Sequence, residues 1–130
     1  MKVFIDSDVI IWFLRGDMKA NDFFKAICAS KQHELWTGAL QRIEIVFYMR
    51  KSEEKETMKF LSLFKTHPLD EKLIDSAGEI YRKWNPSHGT DIPDAVLAAA
   101  ALHSGGKILT LNTRHYPIPD LAVEKAWKAD

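Results

Sequence analysis

The chain has 130 residues, which is enough for one domain with a substantial hydrophobic core. Hydrophobic residues make up 46% and charged residues 28%, so the composition is that of a globular protein and excludes a disordered one. Lysine plus arginine and aspartate plus glutamate both number 18, so net charge alone predicts no affinity for nucleic acid. The longest apolar run, Val9 to Leu14, is too short to cross a membrane.

The single cysteine, Cys28, excludes an internal disulfide and fits a reducing cytoplasm. We expect it to be a packed thiol in the core, because it lies in a helical pattern from about Lys19 to Ser30 with no evident base beside it.

The segment from Lys2 to Arg15 organises the chain. Its short apolar run, Val3 to Ile5, ends abruptly in Asp6 and is typical of a buried strand in a parallel sheet. Ligands of such sheets bind beyond the carboxyl ends of the strands, so Asp6 is predicted to face a functional crevice. Asp8 has a simpler explanation, since Ser7 or Asp8 is suited to cap the following helix.

A predicted helix from about Ala39 to Lys51 carries the second informative acid, Glu44. Leu40, Ile43 and Phe47 share one face of this helix, and Glu44 lies at the edge of that face. Such a carboxylate is partly desolvated and needs a partner. Two explanations remain open: an ion pair with Arg42 or Arg50, or a bound metal ion.

The remaining pattern continues to alternate helices and strands. We predict a short strand at Glu34 to Thr37 with Thr37 capping the next helix, helices at Ser52 to Lys65 and from Asp70 to about Trp84, a strand or turn at Thr66 to Leu69, and a loop at Asn85 to Thr90.

The last third of the chain contains a third acid at the start of a helix. Asp91 is suited to cap that helix, and Asp94 lies in its first turn. A buried strand follows at Lys107 to Leu111 and ends in polar residues from Asn112 to Tyr116; Leu121 to Val123 is predicted as an edge strand. The alternation predicts a single α/β domain over residues 1–130, with a parallel sheet flanked by helices.

Asp6, Glu44 and Asp94 are therefore expected at one edge of the sheet, together with Asn112. Carboxylates that cluster repel one another unless a cation neutralises them, and Mg²⁺ or Mn²⁺ suits a site made only of oxygen ligands. This chemistry is typical of phosphodiester hydrolysis by a metal-activated water.

Four segments together resemble the PIN-domain ribonucleases, most closely the VapC-type toxins: VFIDSDVIIWFLRG, ALQRIEIVFYM, IPDAVLAAAAL and ILTLNTRHYPI. The resemblance implies a Mg²⁺- or Mn²⁺-dependent endoribonuclease that is commonly a homodimer and is inhibited by a cognate antitoxin protein. By matching motif positions, the catalytic and metal-binding acids of the family fall on Asp6, Glu44 and Asp94.

The last motif departs from the family. Many relatives have an aspartate near the end of that strand, where this chain has Asn112 and, three residues later, His115. We therefore assign a supplementary role to Asp91, Asn112 and His115. Arg15, Arg42 and Arg114 lie near the site in the sequence and are candidates for binding RNA phosphates, although ordinary surface positions explain them equally well.

Two other classes of function remain open. The sequence Asp6-Ser7-Asp8 resembles the opening motif of haloacid-dehalogenase-type phosphatases, but no pair of acids follows Leu109 as that family requires. A non-catalytic PIN-like binding domain is the second alternative, because Asn112 carries no charge.

The aromatic content supports the dimer that the resemblance implies. We expect some of the aromatic residues to be exposed and to form an interface. The candidates are Phe23, Phe24, Phe47, Tyr48, Phe60 and Phe64.

Overall fold

Alternating strands and helices form a five-stranded sheet covered on both faces. The computed structural model describes residues 1–128. Its strands are β1 (Lys2–Ile5), β2 (Glu34–Gly38), β3 (Lys65–His67), β4 (Lys107–Thr110) and β5 (Ala122–Lys125). Its helices are α1 (Ser7–Leu14), α2 (Met18–Ala29), α3 (Ala39–Tyr48), α4 (Glu54–Leu61), α5 (Glu71–His88) and α6 (Ile92–Ser104), with short 3₁₀ turns at Lys51–Glu53 and Thr113–His115.

The strands lie in the order β3-β2-β1-β4-β5, and every adjacent pair is parallel. In the central strand, Phe4 is level with Trp36 of β2 and with Ile108 of β4. The chain places β2 and β3 on one side of β1 and then β4 and β5 on the other side, so the order of strands reverses between β1 and β4. A crevice opens at such a reversal, beyond the carboxyl ends of the strands. The predicted α/β fold with a parallel sheet is confirmed.

Each face of the sheet has its own layer of core. Successive side chains of a strand point to opposite faces. Phe4 accordingly packs with α5 and α6, whereas Val3 and Ile5 pack with the helices α1 to α4. All three side chains are fully buried. This two-sided burial explains why β1 reads as a continuous apolar run.

Helix α6 is the most buried helix. Every residue from 94 to 101 is buried, and four consecutive alanines, 98 to 101, let the helix approach the sheet closely. Asp91 caps its N-terminus as predicted, and Gly105, with φ of 69°, ends it in the left-handed conformation that favours glycine. The close packing fixes the first turn of α6 beside the end of β1.

Helix α5 is longer than predicted, because it continues through Pro86 to His88 instead of giving way to a loop at Asn85. Proline removes one backbone donor, but Pro86 and Arg82, the residue four positions before it, are exposed, so the freed carbonyl is open to solvent. The Asn85 side chain donates to the Thr90 carbonyl oxygen at 3.0 Å, and Gly89, with φ of 69°, ends the helix.

The predicted helix from Ser52 to Lys65 was wrong at both ends. The backbone nitrogen of Arg50 donates to the Glu53 carboxylate at 2.7 Å, so the cap forms around a 3₁₀ turn and Ser52 is not the capping residue. At the other end, Lys65 pairs with Trp36 in the sheet.

Three local predictions were also wrong. Cys28 is exposed, so it is not a packed core thiol. Thr37 does not cap α3; its hydroxyl donates to the Ile5 carbonyl oxygen at 3.0 Å, and Gly38 occupies the cap position. Asp8 does not cap α1, since the cap is Asp6. Among the described residues, every helix is too short or too polar to span a lipid bilayer.

A close approach at Gly106 gives a test of the packing. A Cβ atom there would lie 2.6 Å from Cε1 of Phe4, whose ring is fully buried and cannot move aside. We expect Gly106→Ala to lower the free energy of unfolding by about 1–3 kcal/mol through overpacking. Gly78 is the matched control, since a Cβ in that exposed part of α5 meets no atom within 4 Å.

For the control, Gly78→Ala is expected to raise the free energy of unfolding by about 0.5–1 kcal/mol, because alanine loses less conformational entropy in a helix. Urea denaturation of both variants measures the two values. Equal effects at the two positions would contradict the proposed contact between Gly106 and Phe4.

Candidate functional site

A cavity of about 190 Å³ lies at the carboxyl ends of β1 and β4. The first turns of α1 and α6 and one side of α3 form its walls. Its lining is almost entirely polar: Asp6, Ser7, Asp8, Gln41, Glu44, Asp91, Pro93, Asp94, Asn112 and His115. The three acids predicted to converge, Asp6, Glu44 and Asp94, therefore reach one cavity.

Asp6 is the most buried of these acids, with 6% of its surface exposed. One oxygen, Oδ1, accepts from the backbone nitrogen of Ser7 at 2.8 Å and caps α1. The other, Oδ2, accepts from the hydroxyls of Thr110 at 2.9 Å and Tyr116 at 2.6 Å. Both capping and the hydrogen bonds to β4 and its following loop thus fix this side chain.

Asp94 is held by the first turn of α6. Its backbone nitrogen donates to Asp91 at 2.8 Å, and its Oδ2 accepts from the Asp91 backbone nitrogen at 3.1 Å, a reciprocal capping box. Oδ2 also lies 3.1 Å from Nδ1 of His115, and Oδ1 accepts from the Tyr116 hydroxyl at 3.1 Å. Asp94 lies in the first turn of α6, as predicted, and both it and Asp6 contact the Tyr116 hydroxyl.

Glu44 reaches the cavity from α3. Its Oε2 accepts from the Ser7 hydroxyl at 3.3 Å. The helical face that carries Ile43 and Phe47 is exposed, so the expected burial on that face was wrong. Glu44 is partly desolvated because its own side of the helix turns toward α1. In residues 1–128, neither Arg42 nor Arg50 forms an ion pair with it.

Asp8 joins α1 to the end of β4. Its Oδ1 accepts from the Val9 backbone nitrogen at 2.7 Å, and its Oδ2 accepts from the Leu111 backbone nitrogen at 3.1 Å. The Thr110 hydroxyl lies 3.4 Å from the same oxygen. Asp8 therefore stabilises the junction between two elements that are distant in sequence.

The residues assigned a supplementary role also reach the cavity. Asp91 caps α6 at its edge. The Asn112 amide nitrogen lies against the His115 ring, 3.2 Å from Nδ1. Asn112 is exposed, whereas His115 is half-buried between Asn112 and Asp94. This pair forms the outer rim of the cavity.

Burial makes the acids of this cavity hard to ionise. Desolvation raises the pKa of Asp94 to about 8 and that of Asp8 to about 6, and the charge of Asp6 adds to both. Desolvation also raises the pKa of Asp6 and of Glu44 above their ordinary values. No lysine or arginine lines the cavity in the described part of the chain. A cation that enters would therefore meet carboxylates that, among the residues described, have His115 but no lysine or arginine beside them.

The donor set fits a hard divalent cation, because it consists of carboxylate, amide and hydroxyl oxygens. Within residues 1–128, however, no three His, Cys, Asp or Glu side chains form a group that could hold a metal ion by themselves. Mg²⁺ commonly uses only one or two carboxylates and keeps several waters. Asp6 and Asp94, which share the Tyr116 hydroxyl, are the best-placed pair to hold such an ion.

None of the three candidate arginines lines the acidic cavity. Arg15 is exposed and lines a different cavity, between α1 and α3. One guanidinium nitrogen of Arg42 lies 3.5 Å from both the Leu61 carbonyl oxygen and the Thr66 hydroxyl. Arg114 is exposed in the 3₁₀ turn next to His115 and is the nearest of the three in sequence to the rim.

Three contributors were missed from the sequence. Thr110 and Tyr116 follow the general signal of polar residues after a strand, but nothing in that signal indicates which hydroxyl turns inward. Gln41 is 1% exposed and donates to the Pro93 carbonyl oxygen at 3.0 Å, which ties α3 to the start of α6. Gln41 lies in a largely apolar stretch of the sequence, which does not indicate that its side chain contacts Pro93.

Comparison with known proteins agrees with this geometry. The family model described as PIN domain matches residues 3–121. The chain belongs to the PIN-domain family. It is 31% identical over 117 residues to Ribonuclease VapC10 of Mycobacterium tuberculosis, covering 89% of this chain and 86% of that protein. It is 29% identical over 119 residues to Ribonuclease VapC19 of the same organism, covering 90% and 94% of the two chains.

Solved structures show the same fold. A toxin–antitoxin complex from Klebsiella pneumoniae contains a chain that matches with a TM-score of 0.77 at 19% identity, covering 98% of this PIN domain and 99% of that chain. The predicted resemblance to VapC-type PIN domains is confirmed. These findings do not favour the phosphatase or the non-catalytic alternative.

The raised pKa of Asp94 predicts how stability depends on pH without metal. Between the ordinary aspartate pKa of 3.8 and about 8, the native state binds more protons at Asp94 than the unfolded chain does. The contribution of Asp94 to the free energy of unfolding should therefore fall as the pH rises through this window. Asp94→Asn removes this titration but keeps an oxygen that can accept from Asp91.

We expect the melting temperature of Asp94→Asn minus that of wild type to increase from pH 5 to pH 8 in EDTA. Asp22→Asn, on the exposed side of α2 and outside the acidic cavity, is the control for the general effect of removing one carboxylate. A difference for Asp94→Asn that does not change with pH would show that this carboxyl does not titrate in the window.

Proposed function

We propose that this PIN domain, acting as a single domain, is a Mg²⁺- or Mn²⁺-dependent endoribonuclease and the toxin of a toxin–antitoxin pair. The observation that carries the proposal is the convergence of Asp6, Glu44 and Asp94 on one polar cavity, whose lining within residues 1–128 contains no lysine or arginine. The family and its ribonuclease-named relatives support the substrate class. RNA as substrate agrees with a cytoplasmic location.

In this proposal, Asp6 and Asp94 hold the cation. Each side chain accepts a backbone hydrogen bond on one of its two oxygens, which reduces the conformational freedom that it would lose when an ion binds. When bound by Asp6 and Asp94, such a cation would supply Lewis acidity toward the phosphodiester and the attacking water.

Glu44 is the member of the set best suited to move a proton. It is less buried than Asp6 or Asp94, and desolvation raises its pKa above the ordinary value of a glutamate, which makes it a stronger base. Its Oε2 is oriented by the Ser7 hydroxyl and faces the cavity. We therefore assign Glu44 the role of general base, which accepts the proton of the attacking water.

The rim formed by Asn112 and His115 is suited to contact the RNA backbone. The exposed amide of Asn112 offers a neutral hydrogen-bond donor where a carboxylate would repel phosphate. Arg114, exposed in the same turn, adds a positive charge. Arg42 is a weaker candidate because it contacts Leu61 and Thr66 instead.

Amide substitutions test the assignment of the acids. Asp6→Asn, Asp94→Asn and Glu44→Gln are each expected to lower Mn²⁺-dependent cleavage of RNA at least about 100-fold, the upper range found for residues that merely support a metal ligand. The measurement is the initial rate with a fluorescent RNA across a Mn²⁺ titration. Asp22→Asn, purified in parallel, controls for contaminating nuclease and should retain the wild-type rate.

The outcomes separate the classes of function. Cleavage that persists in all three variants would refute the proposed site. Turnover of p-nitrophenyl phosphate without cleavage of RNA would support the phosphatase. RNA binding without either activity would support a non-catalytic domain.

We also propose that α3 forms a homodimer interface. Ile43 and Phe47 are 60% and 75% exposed, and together with Val46 they make an apolar surface on one helix, whereas Tyr48, 71% exposed, lines the cavity on the other flank of α3. A shallow cavity of about 460 Å³ lies along the apolar surface. The other aromatic candidates, Phe23, Phe24, Phe60 and Phe64, pack in the core or against it, so they do not contribute to this surface.

An antitoxin is proposed to bind on the opposite flank of α3. A cavity of about 310 Å³ there has an apolar floor that includes Ile11 and Ile45, with Arg15 and Arg50 beside it. Such a surface suits a segment that carries apolar and acidic side chains. The chain of similar fold from Klebsiella pneumoniae occurs in a toxin–antitoxin complex, which supports a protein partner for this chain.

The dimer can be tested by adding one charge. Phe47→Glu is expected to weaken self-association at least about tenfold, because an exposed aromatic at the centre of an interface is a typical hot spot. Sedimentation at several concentrations measures the dissociation constant. Met18→Glu, 79% exposed at the start of α2, is the matched control. A wild-type protein that is monomeric at micromolar concentration would contradict the proposal.

A further inference from the structure

Tyr116 lies beneath the acidic cavity without lining it. It is 4% exposed, and it follows the 3₁₀ turn after β4. Its ring belongs to the core cluster that also contains Leu97 and Ile108. The side chain is therefore held by packing, and its hydroxyl is the only polar group that it contributes to the site.

That hydroxyl lies between the two carboxylates proposed to hold the cation. Its oxygen is 2.6 Å from Oδ2 of Asp6 and 3.1 Å from Oδ1 of Asp94. A phenol carries one proton, so the hydroxyl donates to one carboxylate at a time while it remains in contact with both. An ordinary phenol keeps its proton at neutral pH, so the hydroxyl is available as a donor.

The acceptor positions of Asp6 show what this contact does. A carboxylate offers about four acceptor positions, two on each oxygen. On Oδ2 of Asp6, Thr110 and Tyr116 occupy both positions, and Ser7 occupies one on Oδ1. One position therefore remains, on Oδ1.

Asp94 has the same arrangement. Its Oδ2 accepts from the Asp91 backbone nitrogen and contacts His115, while Tyr116 occupies one position on Oδ1. One position again remains, on Oδ1. The Tyr116 hydroxyl thus helps to fix the rotation of both carboxyl groups and the separation between them.

We propose that Tyr116 is a positioning residue that holds Asp6 and Asp94 in the arrangement that binds a divalent cation. The inference rests on the proposed metal-dependent function and adds to it a residue that does not touch the substrate. Without the hydroxyl, the two carboxylates lose their shared donor, and binding of the cation must order them. Cation affinity should fall, whereas the chemistry at saturating metal should be preserved.

Tyr116→Phe tests the hydroxyl separately from the ring, because phenylalanine keeps the packing with the core. We expect its dissociation constant for Mn²⁺, measured by electron paramagnetic resonance without RNA, to rise at least about tenfold. RNA cleavage at limiting Mn²⁺ should fall by a similar factor, and saturating Mn²⁺ should restore it to near the wild-type rate. A purely structural role would not produce this dependence on metal concentration.

Tyr81→Phe is the matched control, since Tyr81 packs against the same core cluster from α5 and does not line the acidic cavity. Its Mn²⁺ affinity should equal that of wild type. An unchanged dissociation constant in Tyr116→Phe overturns the inference alone, provided that Asp6→Asn abolishes Mn²⁺ binding. A cleavage defect that saturating Mn²⁺ does not restore also overturns it. Failure of wild type to bind Mn²⁺ overturns the metal-dependent function and the inference with it.

Discussion

The buried carboxylate of Asp6, at the junction of β1 and α1, is the group on which the rest of the site depends. A carboxylate removed from water needs hydrogen-bond donors on both oxygens. The donors come from the first turn of α1, from Thr110 at the end of β4, and from Tyr116 beyond it. Satisfying this one group therefore aligns the two central strands with the helices that follow them.

The same burial opposes stability when no cation is present. Desolvation raises the pKa of each acid in the cavity for which a shift is resolved, so the native state either retains protons or carries uncompensated charge. A divalent cation would relieve both conditions and would stabilise the folded chain by binding it in preference to the unfolded one. The buried, clustered carboxylates that destabilise this edge of the sheet in the absence of a cation are therefore the same groups that suit it to a metal ion.

Much of the fold and the main acids could be predicted because each has a local signal. Asp6 follows an apolar strand, Asp94 lies in the first turn of a helix, and the strand–helix alternation implies that the two meet at one edge. The hydroxyls of Thr110 and Tyr116 could not be predicted, since their contacts with Asp6 depend on which strands become neighbours. Glu44 was selected for a mistaken reason, because the apolar face beside it is exposed and not buried.

The adjacency of β1 and β4 also has a consequence for synthesis of the chain. Asp6 and Thr110 are 104 residues apart, and Tyr116 is 110 residues from Asp6. During translation, Asp6 emerges 104 residues before Thr110, so β1 has to wait for β4 before its second neighbour exists. The two hydroxyl donors to Asp6, from Thr110 and Tyr116, come only at the end of β4 and beyond it. A nascent chain that stops before β4 therefore has Asp6, Glu44 and Asp94 but lacks the hydroxyls that orient Asp6, so the arrangement of the site can form only after Tyr116 has been synthesised.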